Sequence, residues 1–208
     1  MTWRLQCNEI SHYLESTHIV DFATTPEILK LSCDIAAQAE NEIAFIKAAY
    51  EYVRDNIAHS ADIQGKTVTC KASEVLSAKE GICYAKAHLL AAVLHANKVP
   101  AGFCYQKLIL NEDTAPHLVL HGLNAAYIKS LDKWIRLDAR GNKKGVNAQF
   151  SLNKEQLAFP VRAEKGESDI PIIFAYADTN IVDTLAKYDE LDQLWHNLPT
   201  CLEGLKDN

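Results

Sequence analysis

Three residues, Cys83, His121 and Asp138, combine side-chain types and a chain order that could do chemistry. Cys83 lies in Glu80-Gly81-Ile82-Cys83-Tyr84-Ala85-Lys86-Ala87, where a glycine turn is expected to open a long apolar helix. A sulfur at a helix N-terminus sits at the positive end of the dipole, which favours thiolate over thiol. His121 follows in Leu120-His121-Gly122-Leu123-Asn124, and Asp138 in Ile135-Arg136-Leu137-Asp138-Ala139. A neutral imidazole within reach of a thiol takes its proton, and a carboxylate then stabilises the imidazolium and selects its tautomer. Nucleophile, base and orienting acid in that order suit attack on an amide or ester carbonyl through a thioester. The developing oxyanion needs donors. The backbone N–H of Cys83 is one candidate, and Gln64 or Gln106 could supply a second; the sequence leaves that choice open.

Those side chains need elements to hold them. Thr2 to Cys7 alternates like an edge strand, and Pro26 opens a helical pattern through Ile28, Leu31, Ile35, Ile43, Ile46, Tyr50 and Val53, in one helix or two. Ala72 to Leu76 reads as a helical turn, and the Cys83 helix carries Ala87, Leu90, Ala91 and Leu94 before Pro100 ends it. Strand-like runs cover 102–110, 118–128 and 133–137. Beyond Phe150 the pattern is irregular, punctuated by Pro160, Gly166 and Pro171, until a final helix from about Thr179 to His196. Helices first and clustered strands after them indicate α+β.

At 208 residues the chain can bury roughly 70% of its unfolded surface, enough for a core without staples. A formal charge of -6 and no long Lys/Arg run argue against nucleic acid as a partner. No stretch approaches the ~20 apolar residues of a membrane span, and the N-terminus lacks the features of a signal peptide. With six dispersed cysteines and no Cys-x-x-Cys pair, reduced thiols in the cytoplasm are expected.

Residues 45–150 resemble the transglutaminase-like superfamily, a relative of papain-like cysteine enzymes. The resemblance rests on Ala72-Ser73-Glu74-Val75-Leu76, the Gly81 to Leu90 block, Asn97-Lys98-Val99-Pro100-Ala101-Gly102, the His121 strand and Trp134-Ile135-Arg136-Leu137-Asp138. The spacing also fits, with 38 residues from Cys83 to His121 and 17 from His121 to Asp138. It implies a papain/transglutaminase-like core in which the helix bearing Cys83 packs on an antiparallel β-sheet bearing His121 and Asp138. Cys83 is then nucleophile, His121 base and later acid, and Asp138 the group fixing the imidazole. It further implies a cysteine peptidase, amidase or acyltransferase acting on a peptide, protein or small amide, hydrolysis being favoured over crosslinking. One domain spanning 1–208 is expected, with the core at about 45–150, an N-terminal helical segment and a C-terminal extension over 151–208. The chain departs from the family where Gly122 follows the histidine in place of a Trp-containing segment, which could leave a substrate room beside the imidazole.

Other readings compete at several positions. The fold could serve as a catalytically silent binding or scaffold module, with the long N-terminal helix or the 151–208 extension over the cleft. His59, in Asn56-Ile57-Ala58-His59-Ser60-Ala61-Asp62, is either an exposed helix end or part of a loop lining the cleft. Arg140 could meet an acidic substrate group or a surface carboxylate. Asp132, in an expected hairpin turn, is a poor rival for Asp138. His117 and His121 share a face, but a metal would need a third ligand and none has a recognisable spacing. No calcium loop is evident, and no metal or cofactor is expected.

Overall fold

The computed structural model describes residues 3–110, 112–203 and 205. In chain order its elements are β1 (Arg4–Leu5), α1 (Pro26–Ala36), α2 (Glu42–Asn56), β2 (Ala58–His59), α3 (Ala72–Ala78), β3 (Glu80–Gly81) and α4 (Cys83–Ala96). They continue with β4 (Ala101–Leu110), β5 (His117–Ile128), β6 (Lys133–Leu137), β7 (Ser168–Phe174), α5 (Thr179–Lys187) and α6 (Leu191–Trp195). The five-stranded sheet runs β1-β7-β4-β5-β6, antiparallel except for the short parallel β1·β7 pair. β2 and β3 form a separate parallel ladder of two residues each, directly before the helix that carries Cys83.

Helix α4 organises the molecule. Every residue from Tyr84 to His95 is buried, so the helix is covered on all sides rather than on the single face its apolar spacing suggests. It packs against α1, α2, α3 and β5. Its polar side chains are therefore spent on joints. Asn124 of β5 donates its amide to Ala87 O at 3.0 Å and Gly102 O at 3.3 Å, tying α4 to two strands. Lys86 donates to Arg54 O at 3.4 Å and also to Ile57 O, holding down the uncapped carbonyls at the end of α2.

The N-terminal pattern resolves into two helices, because Asn41 starts α2 as an N-cap whose side chain accepts from Ala44 N at 3.0 Å. The expected final helix is also two. Leu191 N donates to Lys66 O at 2.8 Å and Glu190 bridges Thr67, which draws the backbone around Tyr188–Glu190 out of helical geometry. Strand β7 escaped the sequence pattern because Pro171 interrupts it. The β4·β7 register shifts between Phe103 and Tyr105, in the stretch where the proline falls, so the missing N–H is accommodated. At the amino end, the described part of the edge strand is only Arg4–Leu5, and Thr2 lies outside the described residues.

Candidate active site

Cys83 is the first residue of α4 and is half-buried. The N-cap Ile82 has an extended backbone and offers no side-chain acceptor, so the first-turn N–H groups are left without a side-chain cap. Gly81, expected as a turn, instead lies in β3, paired with His59. Its lack of a side chain serves close approach: a Cβ there would lie 2.9 Å from Thr69 Oγ1 and 3.1 Å from Ala85 Cβ. The reversal comes earlier, at Lys79, whose φ is 58°.

His121 lies mid-way along β5, and Asp138 follows the last residue of the antiparallel neighbour β6. His121 Nε2 and Asp138 Oδ2 are 2.9 Å apart, with Asp138 only 1% exposed. The carboxylate is further held by Ala158 N at 2.9 Å on Oδ2 and Arg140 N at 3.2 Å on Oδ1. Burial alone would raise the Asp138 pKa, but the His121 charge and these hydrogen bonds more than offset it and hold the carboxyl below its usual range. For His121 burial opposes the charged form, yet Asp138 and the neighbouring Cys83 sulfur outweigh it and push the ring up to about 10. With Nε2 on Asp138, Nδ1 is the nitrogen left for the sulfur. Of the three residues singled out, His121 and Asp138 are paired directly, and Cys83 lines the same cleft as His121.

The backbone that presents His121 is pinned on both polar groups of the preceding residue. Leu120 N donates to Pro199 O at 2.8 Å, and the Tyr84 hydroxyl donates to Leu120 O. Tyr84 fills the space beside Gly122, where a Cβ would come within 2.6 Å of its ring. Gly122 therefore makes room for Tyr84, correcting the expectation that it leaves space for a substrate. Phe159 stands edge-on to the imidazole, ring centroids 5.3 Å apart.

Cys83 and His121 open onto a cleft of about 590 Å³. Its walls include His59 and Asp62 from the segment after α2, Arg140 after β6, and Phe159, Trp195 and Leu198 from the C-terminal third. The sequence raised the 151–208 extension over the cleft as one alternative but singled out none of these three side chains, of which Phe159 and Leu198 lie in irregular stretches. Arg140 is buried and pairs with a carboxylate of the protein itself: Nη2 reaches Asp62 Oδ1 at 2.8 Å, Nη1 bonds Oδ2, and Lys143 adds a bond at 2.6 Å. Asp62 is held well below the usual carboxylate range; burial works against this, and the bonds from Arg140 and Lys143 drive it. Neither proposed amide reaches the cleft. Gln64 is exposed, and Gln106 Nε2 donates to Asp169 at 3.0 Å on the β7 side, so neither is placed to meet an oxyanion at Cys83. Among the described residues no three metal-ligating side chains converge, and no helix is long and apolar enough to cross a membrane.

The family profile of the transglutaminase-like superfamily matches residues 30–139, which carry the Cys83 helix, the His121 strand and Asp138. The chain belongs to that superfamily. Two solved structures resemble this transglutaminase-like chain. One is a candidate cysteine protease from Cytophaga hutchinsonii, with TM-score 0.52, 21% identity, and 64% of this chain covered against 43% of that one. The other is the periplasmic domain of TgpA from Pseudomonas aeruginosa bound to ethylmercury, with TM-score 0.46, 18% identity, and 62% of this chain covered against 48% of that one. The matched part is thus less than half of either protein. The first likeness agrees with the α+β, transglutaminase-like fold and extends no further. No curated protein matches the chain. Membership of this superfamily makes the chain part of a cysteine-based enzyme family.

Proposed function

We propose that this protein is a cysteine-dependent acyl-transfer enzyme that cleaves an amide or peptide bond through a thioester, with Cys83 as nucleophile, His121 as base and later acid, and Asp138 as the orienting group. The observation that carries the reading is the buried His121–Asp138 pair, 2.9 Å apart, whose imidazole lines the same cleft as the half-buried Cys83. In the reaction the Cys83 sulfur attacks the carbonyl carbon and the C=O π pair moves to oxygen. Collapse then expels the amine, which takes its proton from His121, and leaves the thioester. Water activated by His121 resolves it. Hydrolysis is preferred to amine transfer, and Trp195 and Leu198 line the cleft that an acyl acceptor would have to enter.

The same reading takes residues 1–208 as one domain, supported by Ile181, Leu185 and Leu194 of α5 and α6 sharing the apolar cluster of α4. It places the enzyme in the cytoplasm, where thiols stay reduced. The test uses p-nitrophenyl acetate and mass spectrometry of the intact protein. Acetyl should appear on Cys83 ahead of the other five thiols and be absent in Cys83→Ala. The acetyl-enzyme should decay as fast without monodansylcadaverine as with it. An unreactive Cys83 sinks the enzyme reading in favour of a binding module, whereas decay that requires the amine overturns hydrolysis alone.

A further inference from the structure

We propose that His59 is the second oxyanion donor of this site, presenting a neutral imidazole N–H to the carbonyl oxygen of the acyl group attacked by Cys83. The inference rests on the acyl-transfer reading above and adds to it the group that stabilises the developing charge.

The polar side chains around the cleft leave few alternatives. Arg140 and Lys143 are occupied by Asp62, Arg162 by Glu167 and Glu112, and the Tyr84 hydroxyl by Leu120 O. His59 is different: it lines the same cleft, is only 7% exposed, and its ring makes no hydrogen bond to another described residue. Its Nδ1 is sealed from solvent without a partner. A bare lone pair is the less costly occupant of such a site than an N–H with no acceptor, so the proton belongs on Nε2. Among the described residues none is hydrogen-bonded to Nε2, and the open space this residue borders is the cleft.

The backbone holds this ring in a fixed relation to the sulfur. His59 pairs with Gly81 in the β2·β3 ladder, and Ser60 N donates to Gly81 O at 3.3 Å, two residues before Cys83. The end of α2, from which His59 issues, is held by Lys86, one turn along α4 from Cys83. A donor carried on the ladder that leads into the nucleophile's helix keeps its position while the substrate changes shape, which is the condition for electrostatic preorganisation. The ring also stays uncharged. Burial is the main cause, the charges of Arg140, Lys86 and His121 add to it, Asp62 opposes, and the pKa is lowered to about 3. A neutral donor stabilises an oxyanion without setting a second cation beside His121.

Two reactions of the same sulfur separate this role from simple support. Acetylation by p-nitrophenyl acetate passes through an oxyanion: sulfur bonds to the carbonyl carbon, the π pair moves to oxygen, then returns as p-nitrophenolate leaves with its bonding pair. Alkylation by iodoacetamide displaces iodide directly and forms no oxyanion. In His59→Phe the acetylation rate of Cys83 should fall about 10²-fold, while alkylation stays within about threefold of the unmodified protein. His59→Gln, which retains an N–H, should recover acetylation to within about tenfold. If His59→Phe does not fold, His59→Leu takes its place in the same comparison. An unchanged ratio of the two rates, or a parallel fall in both, overturns the assignment. A Cys83 in the unmodified protein that is acetylated no faster than Cys201 overturns the parent reading and this one together.

Discussion

At the scale of single residues the site is a sum of opposed electrostatic effects whose balance sets the protonation states. Asp138 is buried enough to favour its neutral form, yet His121, Ala158 N and Arg140 N keep it ionised. That anion in turn keeps His121 charged against its own burial. Asp138→Asn retains the shape of the group but cannot sustain this polarity, and kcat for ester hydrolysis should fall by 10²–10⁴ with little change in the circular-dichroism spectrum. The ion pair also leaves a mark on stability. A histidine raised from its ordinary value of about 6.5 to about 10 adds stability that is complete below pH 6.5 and lost as pH climbs through 10. Lys86, lowered to about 7 chiefly by burial, works in the opposite sense between pH 7 and 10.5. The difference between the unmodified protein and His121→Gln isolates the first effect: urea midpoints of the two should converge as pH rises from 6.5 to 10. A gap that widens with pH would contradict the charged imidazole.

At the scale of elements the decisive contact is α4 against β5. Tyr84 sits over Gly122 and bonds Leu120 O, so one side chain beside the nucleophile holds the strand that carries the base. Gly122→Val would drive two extra methyls and a Cβ into the Tyr84 ring. The overpacking should cost about 1–3 kcal/mol in urea denaturation, and acetylation of Cys83 should fall with it because the Leu120 anchor is displaced. Retained stability together with retained acetylation would show that Tyr84 has room to move aside and that this contact does not position the base.

At the scale of the whole molecule the C-terminal third closes the site. Pro199 O takes the Leu120 N–H, Phe159 stands edge-on to the His121 ring, and Trp195 and Leu198 line the cleft. Trp195→Ala should lower stability by less than the 3–5 kcal/mol typical of deleting a fully buried aromatic, since this ring is half-exposed. Iodoacetamide should then reach Cys83 several-fold faster. An alkylation rate unchanged by the substitution would mean that Trp195 does not limit access to the sulfur.

Much of this was legible in the residues themselves. Cysteine at a helix start, histidine in a strand and aspartate after the next strand are local signals, each written in a few neighbouring side chains, and their chain order matches the order in which the fold brings them together. The apolar run of α4, the β4–β6 strands and the Pro26 start are local in the same way. What the chain alone left open depends on contacts between distant segments. Gly122 answers to Tyr84, 38 positions back along the chain, and Arg140 to Asp62. β7 exists because β4 offers it an edge despite Pro171, and the break between α5 and α6 exists because Lys66 and Thr67 compete for their backbone. For His59 the sequence left open an exposed helix end or a loop lining the cleft, and the β2·β3 ladder sets it beside the cleft. Periodicity reports which face of an element is buried, but only the folded chain decides which polar groups find partners, and here that left His59 without one.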